Sequence, residues 1–189
     1  MTIWLIARGA GLAALLLLSL ATALGALVSG GAPARPGARV IAQYAHRVTA
    51  SLGLAVLGLH LTMILADSLA HVGWVAALVP FTSQYRPLWV GLGSLAAYTF
   101  LLVGATGFAR GRMAGSARGA AVWRTLHGAA YAGWAMAMLH GLRAGTDSGV
   151  AWVRVLYLSC LLAVLGSVAT RAVLGTPSAR RAAAVAVPR

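Results

Sequence analysis

The sequence predicts an all-α bundle of membrane-spanning helices, and three observations support this fold class. Hydrophobic residues make up 60% of the chain and charged residues only 9%, whereas a soluble domain carries about 25% charged residues. Five apolar segments are each long enough to cross a bilayer, which takes about 20 residues. Short stretches rich in Gly, Pro and Arg separate these segments. Together these features exclude an ordinary soluble enzyme and a disordered chain.

The apolar segments and their connections divide the chain into one transmembrane domain and a short tail. We expect the first segment to be a retained helix rather than a cleaved signal peptide, because it is longer than the apolar region of such a peptide. Pro80 and Pro87 bracket a polar and aromatic connection, and residues 145–148 form a turn. One transmembrane domain is predicted over 1–175, followed by a short basic cytoplasmic tail over 176–189. The predicted spans are 9–29, 42–66, 88–109, 121–142 and 150–170.

The charges indicate how the chain crosses the membrane. All 15 basic residues are Arg, the only acids are Asp67 and Asp147, and the net charge is +13. The arginines lie between apolar segments rather than on one polar face, so they indicate topology and anionic lipid contacts, not nucleic-acid binding. Eleven of them lie in the first loop, the third loop and the tail. The positive-inside rule therefore places the N-terminus outside and the C-terminus in the cytoplasm.

A cleaved signal peptide would require the opposite orientation of the chain in the membrane. The measured topology therefore distinguishes a retained first helix from a cleaved signal peptide. The use of Arg instead of Lys, with abundant Ala and Gly, is typical of a bacterial genome rich in GC. We accordingly expect a multi-pass protein of a bacterial inner (plasma) membrane.

Four of the five histidines lie inside predicted spans, where ionisable side chains are costly and usually functional. His46 and His60 are 14 residues apart on the second span, and His127 and His140 are 13 apart on the fourth. These separations correspond to about 20 Å along a helix. The second and fourth spans run in the same direction. His46 and His127 therefore share the cytoplasmic level and are called the inner pair, whereas His60 and His140 are called the outer pair.

Two layers of paired imidazoles are suited to ligate two six-coordinate haems, because neutral imidazole is a good axial ligand. The single cysteine, Cys160, rules out covalent attachment through C-x-x-C-H, so any haem would be held non-covalently. At about 100° per residue, 13 residues do not return to the same helix face. The fourth helix must therefore bend, tighten locally or use different histidine rotamers, and Gly128 and Gly133 lie where a distortion could occur.

Arginines flank three of these histidines. Arg47 follows His46, Arg124 precedes His127 by one turn, and Arg143 follows His140 by one turn. Arg is the usual partner of a carboxylate such as a haem propionate, but these arginines also fit a role as markers of the membrane boundary.

The fifth histidine, His71, lies just beyond the second span and near Asp67. One histidine and one carboxylate make a weak metal site. We expect an interfacial residue without a special task, with a proton relay, help to an acceptor or metal binding as alternatives.

Two elements of the sequence carry a resemblance to a known family. The first is His46-Arg47 with His60 fourteen residues later, and the second is Trp123-Arg124-x-x-His127-x-x-x-Tyr131 with His140 thirteen later. With these spacings, residues 40–170 resemble the ferric reductase-like transmembrane domain. That family includes the membrane part of NADPH oxidases, ferric reductases and the haem subunit of bacterial methionine-sulfoxide reductase. The resemblance implies two b-type haems that carry electrons across the membrane.

The chain departs from the family in two respects. Many members have six spans, whereas five are counted here, and no G-x-G-x-x-G motif after a strand follows the last span. We therefore expect a separate electron donor, which would be a flavoprotein, a quinol or reduced flavin, and an extracytoplasmic acceptor. Oxidase or ferric reductase activity does not carry over from the family.

Two other functions stay open. A haem-binding subunit or sensor without transmembrane transfer predicts one occupied site, or an outer haem that cannot be reduced from the inside. A non-redox membrane protein, such as a transporter or assembly subunit, would use the histidines as polar packing or as a proton relay. That hypothesis predicts that the protein shows no haem absorption and that it tolerates His→Ala substitutions.

Overall fold

A computed structural model describes residues 2–67 and 72–174, and the regular structure within these ranges is entirely α-helical. The predicted all-α class is confirmed. His71 and the tail over 176–189 lie outside the described residues. The helices are α1 (Thr2–Gly30), α2 (Pro36–Ala66), α3 (Trp74–Leu78), α4 (Pro87–Met113), α5 (Ala117–Gly128), α6 (Ala130–Ala144) and α7 (Ala151–Leu174).

Four helices of the described part, α1, α2, α4 and α7, are long and apolar enough to cross a membrane. The predicted span over 121–142 differs, because it consists of α5 and α6, which meet at Ala129. There the Ala129 N–H bonds to the Leu126 carbonyl at 3.1 Å, three residues back instead of four. A turn closed in this way rotates the chain further per residue than an α-helix does. The break lies beside Gly128 and supplies rotation that the 13-residue histidine spacing requires.

Local signals in the sequence build two helical hairpins. Gly31 has a φ of +99°, and the Ala32 N–H bonds back to the Leu27 carbonyl at 3.0 Å, which is a glycine-terminated helix end. Pro36 then begins α2, a position where its missing N–H costs little. In the second hairpin, the Ser116 hydroxyl caps α5 by accepting from the Gly119 N–H at 3.1 Å.

The helix α1 lies centrally and packs on α2, α6 and α7, while α4 packs on α5 and α6. The Trp134 indole N–H donates to the Ser19 hydroxyl at 3.0 Å inside this core. By contrast, α2 makes little direct contact with α4, α5 or α6. A space therefore remains between the two hairpins. The buried core consists of Leu15, Leu18, Ala23, Phe100, Trp134, Met138, Val153, Tyr157, Cys160 and Val164.

Large apolar side chains also cover the outside of the bundle. Ile41 is 69% exposed, Phe108 82% and Leu162 61%. Monomeric soluble proteins rarely present so much contiguous apolar surface. Lipid is the medium that such a surface fits, and the helices satisfy their backbone groups internally as a bilayer demands.

Candidate functional site

The structure brings together the histidines that the sequence predicts to be partners. The ring centres of His46 and His127 lie 6.3 Å apart, with the ring planes at 70° to each other. His60 and His140 line one common cavity. In each pair, one histidine lies on α2 and the other on the α5–α6 segment, on the two sides of the space between the hairpins.

The cavity of the outer pair lies among α1, α2, α4, α6 and α7 and encloses about 1460 Å³ of atom-free space, its open mouth included. Its walls are mostly apolar, with a few polar side chains that include His60, His140, Arg8 and Asp147. A mostly apolar cleft with a few convergent polar groups is the usual form of a cofactor or ligand site. The apolar lining includes Leu12, Leu15, Leu57, Leu61, Val90 and Phe100.

Hydrogen bonds fix which nitrogen of each ring carries the proton. The Nδ1 atoms of His46, His60 and His140 each lie 2.8 Å from a backbone carbonyl oxygen on a neighbouring helix. A carbonyl oxygen only accepts, so each Nδ1 is the donor. In a neutral imidazole the other nitrogen, Nε2, then holds a free lone pair. A histidine that binds a metal through one nitrogen and donates through the other is the common arrangement at metal sites.

His127 also donates through Nδ1, but its partner is a side-chain hydroxyl instead of a backbone carbonyl. Its Nδ1 lies 3.2 Å from the Thr106 hydroxyl oxygen. That hydroxyl has one hydrogen, which it donates to the Val103 carbonyl at 2.8 Å. The Thr106 oxygen must therefore accept from Nδ1, and the Nε2 lone pair of His127 is left free as well.

Each ring lies against a glycine of the neighbouring helix. Beside the ring is also the backbone carbonyl group of the residue four positions before that glycine. This combination is called a histidine seat. The missing Cβ matters most at Gly93, where an added Cβ would lie 2.6 Å from His140 Nδ1. The four seats pair Ala7 and Gly11 with His60, Ala21 and Gly25 with His46, Trp89 and Gly93 with His140, and Val103 and Gly107 with His127.

The seats reveal an internal repeat that the sequence reading missed. Gly11 and Gly25 of α1 recur 82 positions later as Gly93 and Gly107 of α4. The two hairpins are therefore built alike: the first helix of each supplies the seats and the second supplies the histidines. The matching 14-residue glycine spacings are the signal that could have shown this.

One histidine of the inner pair has an aromatic neighbour. The rings of Trp123 and His127 are stacked, with centres 5.0 Å apart and planes 19° apart. The Trp123 indole N–H donates to the Thr106 carbonyl at 3.0 Å, so one residue of α4 anchors both rings. The Arg110 guanidinium lies 5.1 Å from the Trp123 ring centre, within cation–π range.

The three predicted propionate partners, Arg47, Arg124 and Arg143, are all exposed. Arg143 does not line the cavity of the outer pair. It lies with Arg86 in a separate shallow pocket, where its guanidinium is 5.2 Å from the Trp89 ring centre. The arginine that does line the outer cavity is Arg8, which the sequence reading treated only as a topology signal.

The histidine pairs fit the ligand set that a haem would need. A haem supplies four nitrogens itself and would take one imidazole from each histidine of a pair. The inner pair, with ring centres 6.3 Å apart, and the outer pair, in its mostly apolar cavity, would each supply two imidazoles. Among residues 2–67 and 72–174, no group of three or more His, Cys, Asp or Glu side chains is placed to hold a metal ion.

Comparison of the chain with protein-family models, with curated proteins and with solved structures finds no match. The resemblance to the ferric reductase-like domain therefore rests on the histidine spacings and their flanking residues. Haem binding stays a prediction.

Proposed function

We propose that the protein is a di-haem b electron-transfer protein of the membrane, similar to the ferric reductase-like type. The inner pair, His46 and His127, would ligate one haem, and the outer pair, His60 and His140, the other. The haem groups supply the redox chemistry, while the chain supplies ligation, burial and local charge.

The observation that carries this proposal is the common state of the four imidazoles. All four donate through Nδ1 to α1 or α4, and in the neutral imidazole this leaves the Nε2 lone pair free. Polar packing needs only some hydrogen bond from each ring. It does not require the same nitrogen to be free four times, in two facing pairs, between two hairpins of like construction.

The proposed path runs across the bilayer. We infer five crossings, with α5 and α6 together making the fourth, an external N-terminus and a cytoplasmic C-terminus, because this arrangement follows the arginine bias. A flavoprotein, quinol or reduced flavin would donate at the inner pair, and an extracytoplasmic acceptor would take electrons at the outer pair. The proposed setting is a bacterial inner membrane.

The haem content of the purified protein tests this proposal. We expect about two b haems per chain by pyridine haemochrome, because each facing pair supplies one set of axial ligands, and six-coordinate low-spin bands in the reduced spectrum. The sample is the full chain, expressed with adequate haem and purified in detergent. A folded, monodisperse protein without a Soret band would contradict the proposal and favour histidines used for packing or proton relay.

A further inference from the structure

The lining of the outer cavity includes an ion pair between two distant parts of the chain. The Arg8 guanidinium on α1 pairs with the Asp147 carboxylate in the connection between α6 and α7. Both side chains are only partly exposed, at 29% and 26%. Both also line the cavity that His60 and His140 line. The pair thus places two opposite charges on the wall of a mostly apolar pocket.

Few charged side chains of the chain line this cavity. Of the described residues that line the cavity, Arg8 is the only one with a guanidinium. Asp147 is one of two acids in the whole chain. The Trp4 ring, one helical turn before Arg8, lies 5.8 Å from the guanidinium carbon and supports it from the side.

A guanidinium has five N–H donors and can serve more than one carboxylate at once. Asp147 occupies part of that capacity and holds the cation at the cavity wall. The remaining donors are available to an anionic group carried by whatever fills the cavity. A carboxylate there gains a charge-assisted hydrogen bond, which is stronger than a hydrogen bond between neutral groups.

The geometry points to Arg8 as the residue that binds a carboxylate of the molecule in the outer cavity, with Asp147 as the positioning residue that orients Arg8 and offsets its charge. This inference rests on the proposed function, in which that molecule is a haem and the carboxylate is one of its propionates. It assigns to Arg8 the role that the sequence assigned to Arg143.

Binding of haemin and of haemin dimethyl ester to the full-length chain, purified in detergent from haem-depleted cells, tests the inference. The ester carries no free carboxylate. We expect wild-type protein to hold haemin in the outer site about tenfold more tightly than the ester, the usual scale of a hydrogen bond to a charged group. Arg8→Gln should abolish this preference, while Arg8→Lys should keep part of it because the cation remains. Arg112→Gln, which removes an exposed cation that does not line the cavity, should leave the preference intact.

The midpoint potential of the outer haem tests whether the charges of Arg8 and Asp147 act on that haem or serve only as a structural latch. Arg8→Gln leaves Asp147 uncompensated and should lower the potential. Asp147→Asn leaves Arg8 uncompensated and should raise it, because a nearby cation favours the electron-rich state. A latch would be broken equally by both substitutions and would shift the potential in one direction. Shifts of the same sign would overturn the inference, as would a haemin preference lost in Arg143→Gln but kept in Arg8→Gln. Failure of wild-type protein to bind either porphyrin would instead overturn the proposed function.

Discussion

Replacing His140 with Ala is expected to remove the outer haem and to leave the inner one in place, so that haem content falls from about two per chain to about one. The substitution deletes one of two axial ligands in a cavity that offers no third described histidine. His60→Ala should have the same result, because both residues serve one site. His46→Ala and His127→Ala should instead remove the inner haem. Pyridine haemochrome quantitation and redox titration of each purified variant measure these losses.

This prediction also states which variants should resemble each other. His60 and His140 variants should share one residual spectrum, and His46 and His127 variants should share the other. His71→Ala is the matched control and should keep both haems. If the four variants fell into different groups, or if each kept two haems, the assigned pairing would be wrong.

Gly93→Ala is expected to weaken haem binding at the outer site about 10–100-fold, the usual effect of disturbing a residue that orients a metal ligand. An added Cβ would lie 2.6 Å from His140 Nδ1 and 2.7 Å from its Cε1. The ring would have to leave its seat and stretch its hydrogen bond to the Trp89 carbonyl. Ala is otherwise the better residue in a helix, by about 1 kcal/mol, so loss of helix stability would not explain the result.

The neighbouring seat on α4 supplies the control for this substitution. At Gly107 an added Cβ would lie 3.6 Å from His127 Cε1, an ordinary contact. Gly107→Ala should therefore keep the inner haem and its midpoint potential. Equal losses in the two variants, or no loss in Gly93→Ala while the protein stays folded, would show that the seats do not position the histidines.

The sequence predicted most of the helical architecture because apolar length and turn residues determine it. Four of the predicted spans correspond to α1, α2, α4 and α7. The fourth predicted span was the one with conflicting evidence, since a spacing of 13 residues does not suit a straight helix. In the structure that span is interrupted by the break between α5 and α6 at Ala129, which adds part of the missing rotation.

The site was predictable only in part. The histidine pairs follow from spacing and helix direction, but the seats depend on how α1 and α4 pack, which periodicity does not show. The chain has 23 glycines, and small residues are common wherever membrane helices approach closely. Gly93 and Gly107 repeat the 14-residue spacing of Gly11 and Gly25, but that spacing does not say which histidine each glycine meets. Arg8 and Asp147 are 139 positions apart in the sequence, so their pairing too becomes visible only in the fold.

Electron transfer across a sealed bilayer tests the central claim most directly. The protein is reconstituted into vesicles that contain ferricyanide, dithionite is added outside, and valinomycin with potassium dissipates the charge that moving electrons build up. We predict that the trapped ferricyanide loses its absorbance, that protein-free vesicles keep theirs, and that His46→Ala and His140→Ala each stop the reaction. Haems that become fully reduced while trapped ferricyanide persists in wild-type vesicles would contradict a transmembrane electron path.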